Sequence, residues 1–107
     1  MKRVSVEELK EMIDQKKDIL LLDVREQDER EICTIDYEEM WISISEIPLR
    51  AEEVPRDREI IVYCHHGVRS GQVVGYLEAR HGYDKLANLS GGIDAWAIQI
   101  DPEMRKY

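Results

Sequence analysis

Ile60-Ile61-Val62-Tyr63-Cys64-His65-His66-Gly67-Val68-Arg69-Ser70-Gly71 passes in twelve residues from an unbroken apolar run, through a polar loop, to the start of a helical pattern. An apolar run without alternation is the mark of a strand buried on both faces, as in a parallel sheet. The charged turn Pro55-Arg56-Asp57-Arg58-Glu59 introduces it. Beyond the loop, Val73, Val74, Tyr76 and Leu77 supply an apolar stripe, and Gly82 closes the helix as a C-terminal breaker. The loop therefore sits between the carboxyl end of a buried strand and a helix N-terminus. Open α/β sheets bind their ligands at such places.

The pattern extends in both directions. Ser5-Val6-Glu7-Glu8 has the form of a capping box, and Val6, Leu9, Met12 and Ile13 recur at helical spacing, predicting a helix to about Gln15. Ile19-Leu20-Leu21-Leu22, ending in Asp23, repeats the buried-strand signature. Lys85 to Asn88 is a further candidate strand, and Gly91-Gly92 precedes a short helix, Ile93 to Ile98, that carries Trp96. Between Ile32 and Glu46 the signals conflict: Ile42 and Ile44 suggest a strand, Asp36-Tyr37-Glu38-Glu39 a loop. Strands alternating with helices predict an α/β fold with a largely parallel sheet. The 107 residues predict one domain, with its core at about 4–98 and a surface extension over 99–107.

Charge narrows the function classes. The formal net charge is −8, with hydrophobic residues at 43% and charged residues at 36%. That field repels nucleic acid and anionic membranes. Residues 1–59 hold 18 acids and 10 Lys/Arg, whereas residues 60–107 hold 5 of each, so any anion site belongs after residue 59. The two cysteines, Cys33 and Cys64, make no disulfide framework. Neither an apolar leader nor a run of membrane-spanning length is visible, which predicts a cytoplasmic chain with reduced thiols. Asn88-Leu89-Ser90 spells a glycosylation sequon, which carries no meaning without export.

The loop chemistry follows from its residue types. Unpaired N–H groups and the dipole at a helix start favour an anion, and lower the pKa of a cysteine placed there. Gly67 lets the backbone curl so that its N–H groups point inward, Arg69 adds a permanent charge, and Ser70 offers a cap or a hydroxyl. These parts predict a thiolate nucleophile in a cradle of donors.

At these residues the chain resembles the single-domain rhodanese family of sulfurtransferases, over about Val4 to Trp96. Leu21-Leu22-Asp23-Val24-Arg25-Glu26 is similar to the family's first signature. Cys64 through Ser70 is similar to its C-x-x-G-x-R-S loop, and Leu89-Ser90-Gly91-Gly92-Ile93-Asp94-Ala95-Trp96 to its closing motif. The resemblance implies a three-layer fold, with a small, mostly parallel central sheet flanked by helices. It implies that Cys64 takes a sulfane sulfur from thiosulfate or a persulfide and passes it to a thiol, a relay protein or cyanide. Arg69 would face the anionic donor, and His65, His66, Gly67, Val68 and Ser70 would line the sulfur site. Asp23 and Arg25 would support the loop. No metal or organic cofactor is implied. The chain departs from the family over Ile32 to Trp41, where the usual Gly and His are missing, and this affects substrate access.

Other readings remain. A rhodanese-like module that binds a partner or senses persulfides without turnover is one. A cysteine phosphatase loop needs five residues between Cys and Arg, and here there are four. A metal site is disfavoured because the adjacent His65 and His66 do not easily converge on one ion. Cys33 reads as a small buried hydrophobe beside Ile32 and Ile35, with a resolving thiol as the alternative. Met12 and Trp96 read as core, and Trp41 as a cover or contact residue.

Overall fold

In the computed structural model, which describes residues 1–107, strand β2 (Ile19–Asp23) pairs in parallel with strand β4 (Glu59–Tyr63) from Ile19↔Glu59 to Asp23↔Tyr63. Alternate residues of both point to opposite faces, and each face is covered. Leu20, Leu22, Ile60 and Val62 pack against Val73, Val74 and Leu77 of helix α4 (Val68–His81) and Ile47 of helix α3 (Ile47–Arg50). Ile19, Leu21, Ile61 and Tyr63 pack against Val6 and Leu9 of helix α1 (Val6–Asp14) and Ile93 and Trp96 of helix α5 (Gly92–Gln99). Burying each such aliphatic side chain contributes about 1.5–3 kcal/mol, which is why the two runs are apolar without interruption.

Strand β5 (Leu86–Leu89) lies on the other side of β4, and β1 (Arg3–Val4) pairs with it at the sheet edge. Strand β3 (Glu39–Trp41) pairs with β2 at the opposite edge, giving an all-parallel sheet of order β1-β5-β4-β2-β3. The chain leaves β2 toward β3 and leaves β4 toward β5. The loops after β2 and β4 therefore diverge from a shared crevice, the switch point at which open α/β sheets hold ligands.

Several expectations need adjusting. Within the stretch of conflicting signals, the strand lies three residues before the Ile42–Ile44 pair, at Glu39–Trp41, because β2 ends at Asp23, the partner of Trp41. Past that point only single bonds follow, Ile42 N–H to the Asp23 carbonyl at 3.1 Å and Ile44 N–H to that of Val24 at 3.1 Å. Helix α2 (Gln27–Ile32) is six residues long and has no buried side chain, so it offers no apolar period. The capping box at Ser5 and Glu8 is present, Ser5 N–H donating to Glu8 Oε1 at 2.9 Å and Glu8 N–H to Ser5 Oγ at 3.0 Å. No helix is long and apolar enough to cross a membrane.

Candidate active site

Cys64 is the first residue after β4 and is 1% exposed. Its Sγ accepts from the Gly67 N–H at 3.1 Å, and from the Ser70 N–H and Ser70 Oγ at 3.4 Å each. Burial pushes the thiol pKa up, but donation by the Ser70 hydroxyl and the N–H groups of Ser70, Gly67 and His66 outweighs it, and the net shift is downward. Val68 and Arg69 open the first turn of α4, where backbone N–H groups lack intrahelical partners. A thiolate held this way is a competent nucleophile.

The curl of the loop is enforced from outside. Gly67 caps α4 at φ 101°, and a Cβ there would come within 3.3 Å of the Leu89 carbonyl oxygen. Asn88, buried on β5, accepts from Ser70 Oγ and donates through Nδ2 to the Gly67 carbonyl at 3.0 Å. The carbonyls that turn outward meet the start of α5: Ile93 N–H donates to Cys64 O and Asp94 N–H to His65 O, both at 3.0 Å. Gly92, at φ 61°, makes that approach feasible, since a Cβ would collide with both carbonyls. The closing Gly-Gly thus shapes the cysteine loop from 28 residues away.

Behind the loop, Asp23 and Arg25 form a fully buried pair, both 0% exposed. Arg25 Nε donates to Asp23 Oδ1 at 3.0 Å and Nη2 to Oδ2 at 2.9 Å. Burial alone would lower the Arg25 pKa, yet the Asp23 carboxylate raises it overall, and the guanidinium stays charged. Arg30 Nη1 reaches both Asp23 Oδ2 at 2.8 Å and Glu39 Oε2 at 2.6 Å, while the Tyr63 hydroxyl donates to Glu39 Oε1 at 2.8 Å. Two carboxylates thus balance two guanidiniums.

The atypical Ile32–Trp41 segment supports this network. The Cys33 carbonyl accepts from Arg25 Nη2 at 2.8 Å, and Trp41 Nε1 donates to the Arg25 carbonyl at 2.8 Å. Cys33 itself is partly buried among the apolar residues of the α1/α5 face, and burial pushes its thiol up. Met12 packs on that face, and Trp96 belongs to its core.

At the mouth, Arg69 meets Glu29 of α2 in a two-pronged pair, Nη1 to Oε1 at 2.7 Å and Nη2 to Oε2 at 2.8 Å. Chiefly because of Arg69, the Glu29 carboxyl is held down to about 2. The Tyr107 hydroxyl donates to Glu29 Oε2 at 2.8 Å and accepts from Arg25 Nη1 at 3.0 Å. Its ring stacks on His65, with centroids 3.8 Å apart and planes 10° from parallel. Residues 99–107 are mostly exposed, and at their end Tyr107 covers part of the site. A lone aromatic after Pro102 carries no sequence period that would reveal this. Glu29 and Asn88 were also missed, although Glu29 stands three residues after Glu26 and their E-x-x-E spacing is that of a helix start.

His65 and His66 do come together, with ring centroids 3.9 Å apart, and with Asp94 their ligand atoms lie within 4.8 Å of one another. These three are the residues able to share a metal ion here. Burial lowers the His65 pKa, and the neighbouring His66 lowers it further. Val68 stands exposed beside the loop.

Comparison with known proteins agrees with this geometry. Residues 5–99 match the family model described as "Rhodanese-like domain". A "Sulfurtransferase" of Allochromatium vinosum is 36% identical over 94 residues, 88% of this chain and 86% of that protein. The "Thiosulfate sulfurtransferase GlpE" of Coxiella burnetii is 30% identical over 101 residues, 89% of this chain and 86% of that one. A crystal structure of a rhodanese-related protein from Thermoplasma volcanium superposes with a TM-score of 0.83 at 29% identity, covering 94% of each chain. With its cysteine loop at the sheet's switch point and a family match over nearly its whole length, the chain belongs to the rhodanese-like domain family.

Proposed function

We propose that this protein is a sulfurtransferase that moves a sulfane sulfur, from thiosulfate or a persulfide, to a thiol or cyanide acceptor through a persulfide on Cys64. The observation that carries this is the ring of donors around Cys64 Sγ at the crevice between β2 and β4. The Cys64 thiolate attacks the outer sulfur of the donor, and sulfite or a thiolate departs. The bound sulfur, now Cys64–S–S⁻ or its protonated form, lies against the loop from His65 to Ser70. There the Val68 and Arg69 N–H groups have no helical partner, and the helix dipole favours negative charge. An acceptor thiolate or cyanide then attacks the outer sulfur and returns the Cys64 thiolate, a two-step cycle with ping-pong kinetics.

His65, His66 and Val68 form the rim, Gly67 and Ser70 the floor, and Arg69 the charged edge. Asp23 and Arg25 are positioning residues. The protein functions as one domain without metal or organic cofactor, with small sulfur compounds or a sulfur-relay protein as partners. Intact-protein mass spectrometry tests this. Incubation with thiosulfate or a hydropersulfide adds about 32 Da, removed by cyanide, to the protein and to Cys33→Ser but not to Cys64→Ser. An adduct that persists in Cys64→Ser overturns the assignment.

A further inference from the structure

Counting charge at the reaction centre separates the two donors. Thiosulfate meeting the Cys64 thiolate brings three negative charges together: Cys64–S⁻ + S–SO3²⁻ gives Cys64–S–S⁻ + SO3²⁻. A protonated hydropersulfide brings one. The thiolate attacks the outer sulfur of R–S–SH, the S–S bond breaks, R–S⁻ leaves, and the proton stays on Cys64–S–SH. Both steps balance without an oxidant or reductant, but the first needs cationic compensation at the mouth.

Side-chain charge on the cysteine loop does not supply it: Arg69 is the loop's one permanent cation, and both its terminal nitrogens donate to Glu29. The pair sits half-sheltered, with the Arg69 side chain 31% and Glu29 14% exposed. Glu29 is further fixed by the Tyr107 hydroxyl and by the Glu26 N–H at 3.1 Å, so it cannot swing aside without breaking several bonds. Asp94 adds a carboxylate 3.8 Å from the His66 ring nitrogen. Arg25 and Arg30 are balanced by Asp23 and Glu39. Arg105 and Lys106 line the adjoining crevice behind His65, Asp94 and Tyr107, where Lys106 is turned to the Pro102 carbonyl. The body as a whole carries −8.

We propose that Glu29, by occupying Arg69, is a specificity-determining residue that sets the site against dianionic thiosulfate and in favour of a hydropersulfide donor. This rests on Cys64 being the sulfur carrier.

The test is the second-order rate of Cys64 loading, read by intact mass, with thiosulfate and with cysteine hydropersulfide as probes. The protein loads faster from the hydropersulfide, and added salt speeds the thiosulfate reaction by screening repulsion while leaving the hydropersulfide rate nearly flat. Glu29→Gln frees the guanidinium and raises the thiosulfate-to-hydropersulfide rate ratio about tenfold, an effect typical of one charge near a protein surface. Asp94→Asn, which leaves the Arg69 pair intact, raises the same ratio by a smaller factor and serves if Glu29→Gln fails to fold. Thiosulfate loading at or above the hydropersulfide rate, thiosulfate loading slowed by salt, or an unchanged ratio in the folded variants overturns the donor preference and leaves Cys64 as carrier. Loading by neither probe overturns the carrier reading, and this inference with it.

Discussion

The Ser70 hydroxyl stands between the Asn88 side-chain oxygen and the Cys64 sulfur and shares its single proton between them, Asn88 being the shorter contact and Cys64 Sγ lying at 3.4 Å. Asn88 cannot flip to release it, because its amide nitrogen is tied to the Gly67 carbonyl. A buried asparagine on β5 thereby regulates how much a hydroxyl on α4 helps the thiolate.

Ser70→Ala removes one donor from the sulfur and leaves Asn88 Oδ1 unpaired. The Cys64 pKa rises by about one unit or less, because a hydroxyl shared with Asn88 contributes only part of a charge-assisted bond. Titrating the thiolate ultraviolet absorbance in a Cys33→Ser background measures it. A rise of several units means that the hydroxyl, not the backbone, sets the thiolate.

Asp23→Asn leaves Arg25 buried against a neutral amide. Breaking one side of a buried ion pair costs about 3–5 kcal/mol, here moderated by the remaining Cys33 and Tyr107 contacts. Urea unfolding reads the loss directly. A shift below about 1 kcal/mol shows that the pair is not what holds the loop's rear wall.

The Glu29 carboxyl, lowered to about 2 by Arg69, links folding to pH. Its folded-state pKa lies below the unfolded value of about 4.3, so its contribution is complete above that value. It disappears as pH falls from there toward 2, as the carboxyl protonates. At pH 7 the protein is more stable than Glu29→Gln by about 1–3 kcal/mol, and near pH 2 the two converge. Denaturant midpoints at both pH values decide this, and a gap that is constant with pH contradicts the pairing.

Gly92→Ala places a methyl group against the Cys64 and His65 carbonyls at a backbone angle of φ 61°. Either α5 withdraws or the loop deforms. We expect destabilisation of about 1–3 kcal/mol and at least tenfold slower sulfur loading, measured by urea unfolding and intact mass. Normal loading in the variant shows that the loop does not depend on the α5 contact.

Much of this architecture was legible from local patterns. The runs at 19–22 and 60–63 needed only the rule that unbroken apolar strands lie in doubly covered parallel sheets, and both have one face in each core. The cysteine loop was legible because strand, glycine, charge and helix start follow one another within twelve residues. β1 and α2 were not: two residues cannot show a period, and a polar six-residue helix has no apolar face to display.

What the amino-acid sequence determined by itself is the sheet's character, the position of Cys64 and the donors close to it in the chain. All of these depend on contacts between near neighbours. Which charge meets Arg69 was decided only in three dimensions, because Glu29 lies 40 residues away and approaches through the side-by-side packing of the β2 and β4 loops. The same holds for Asn88 beneath Ser70, for the α5 amides on the loop carbonyls, and for Tyr107 over His65. Each is a long-range hydrogen bond or stack, and such pairs leave no periodic trace in the chain that makes them.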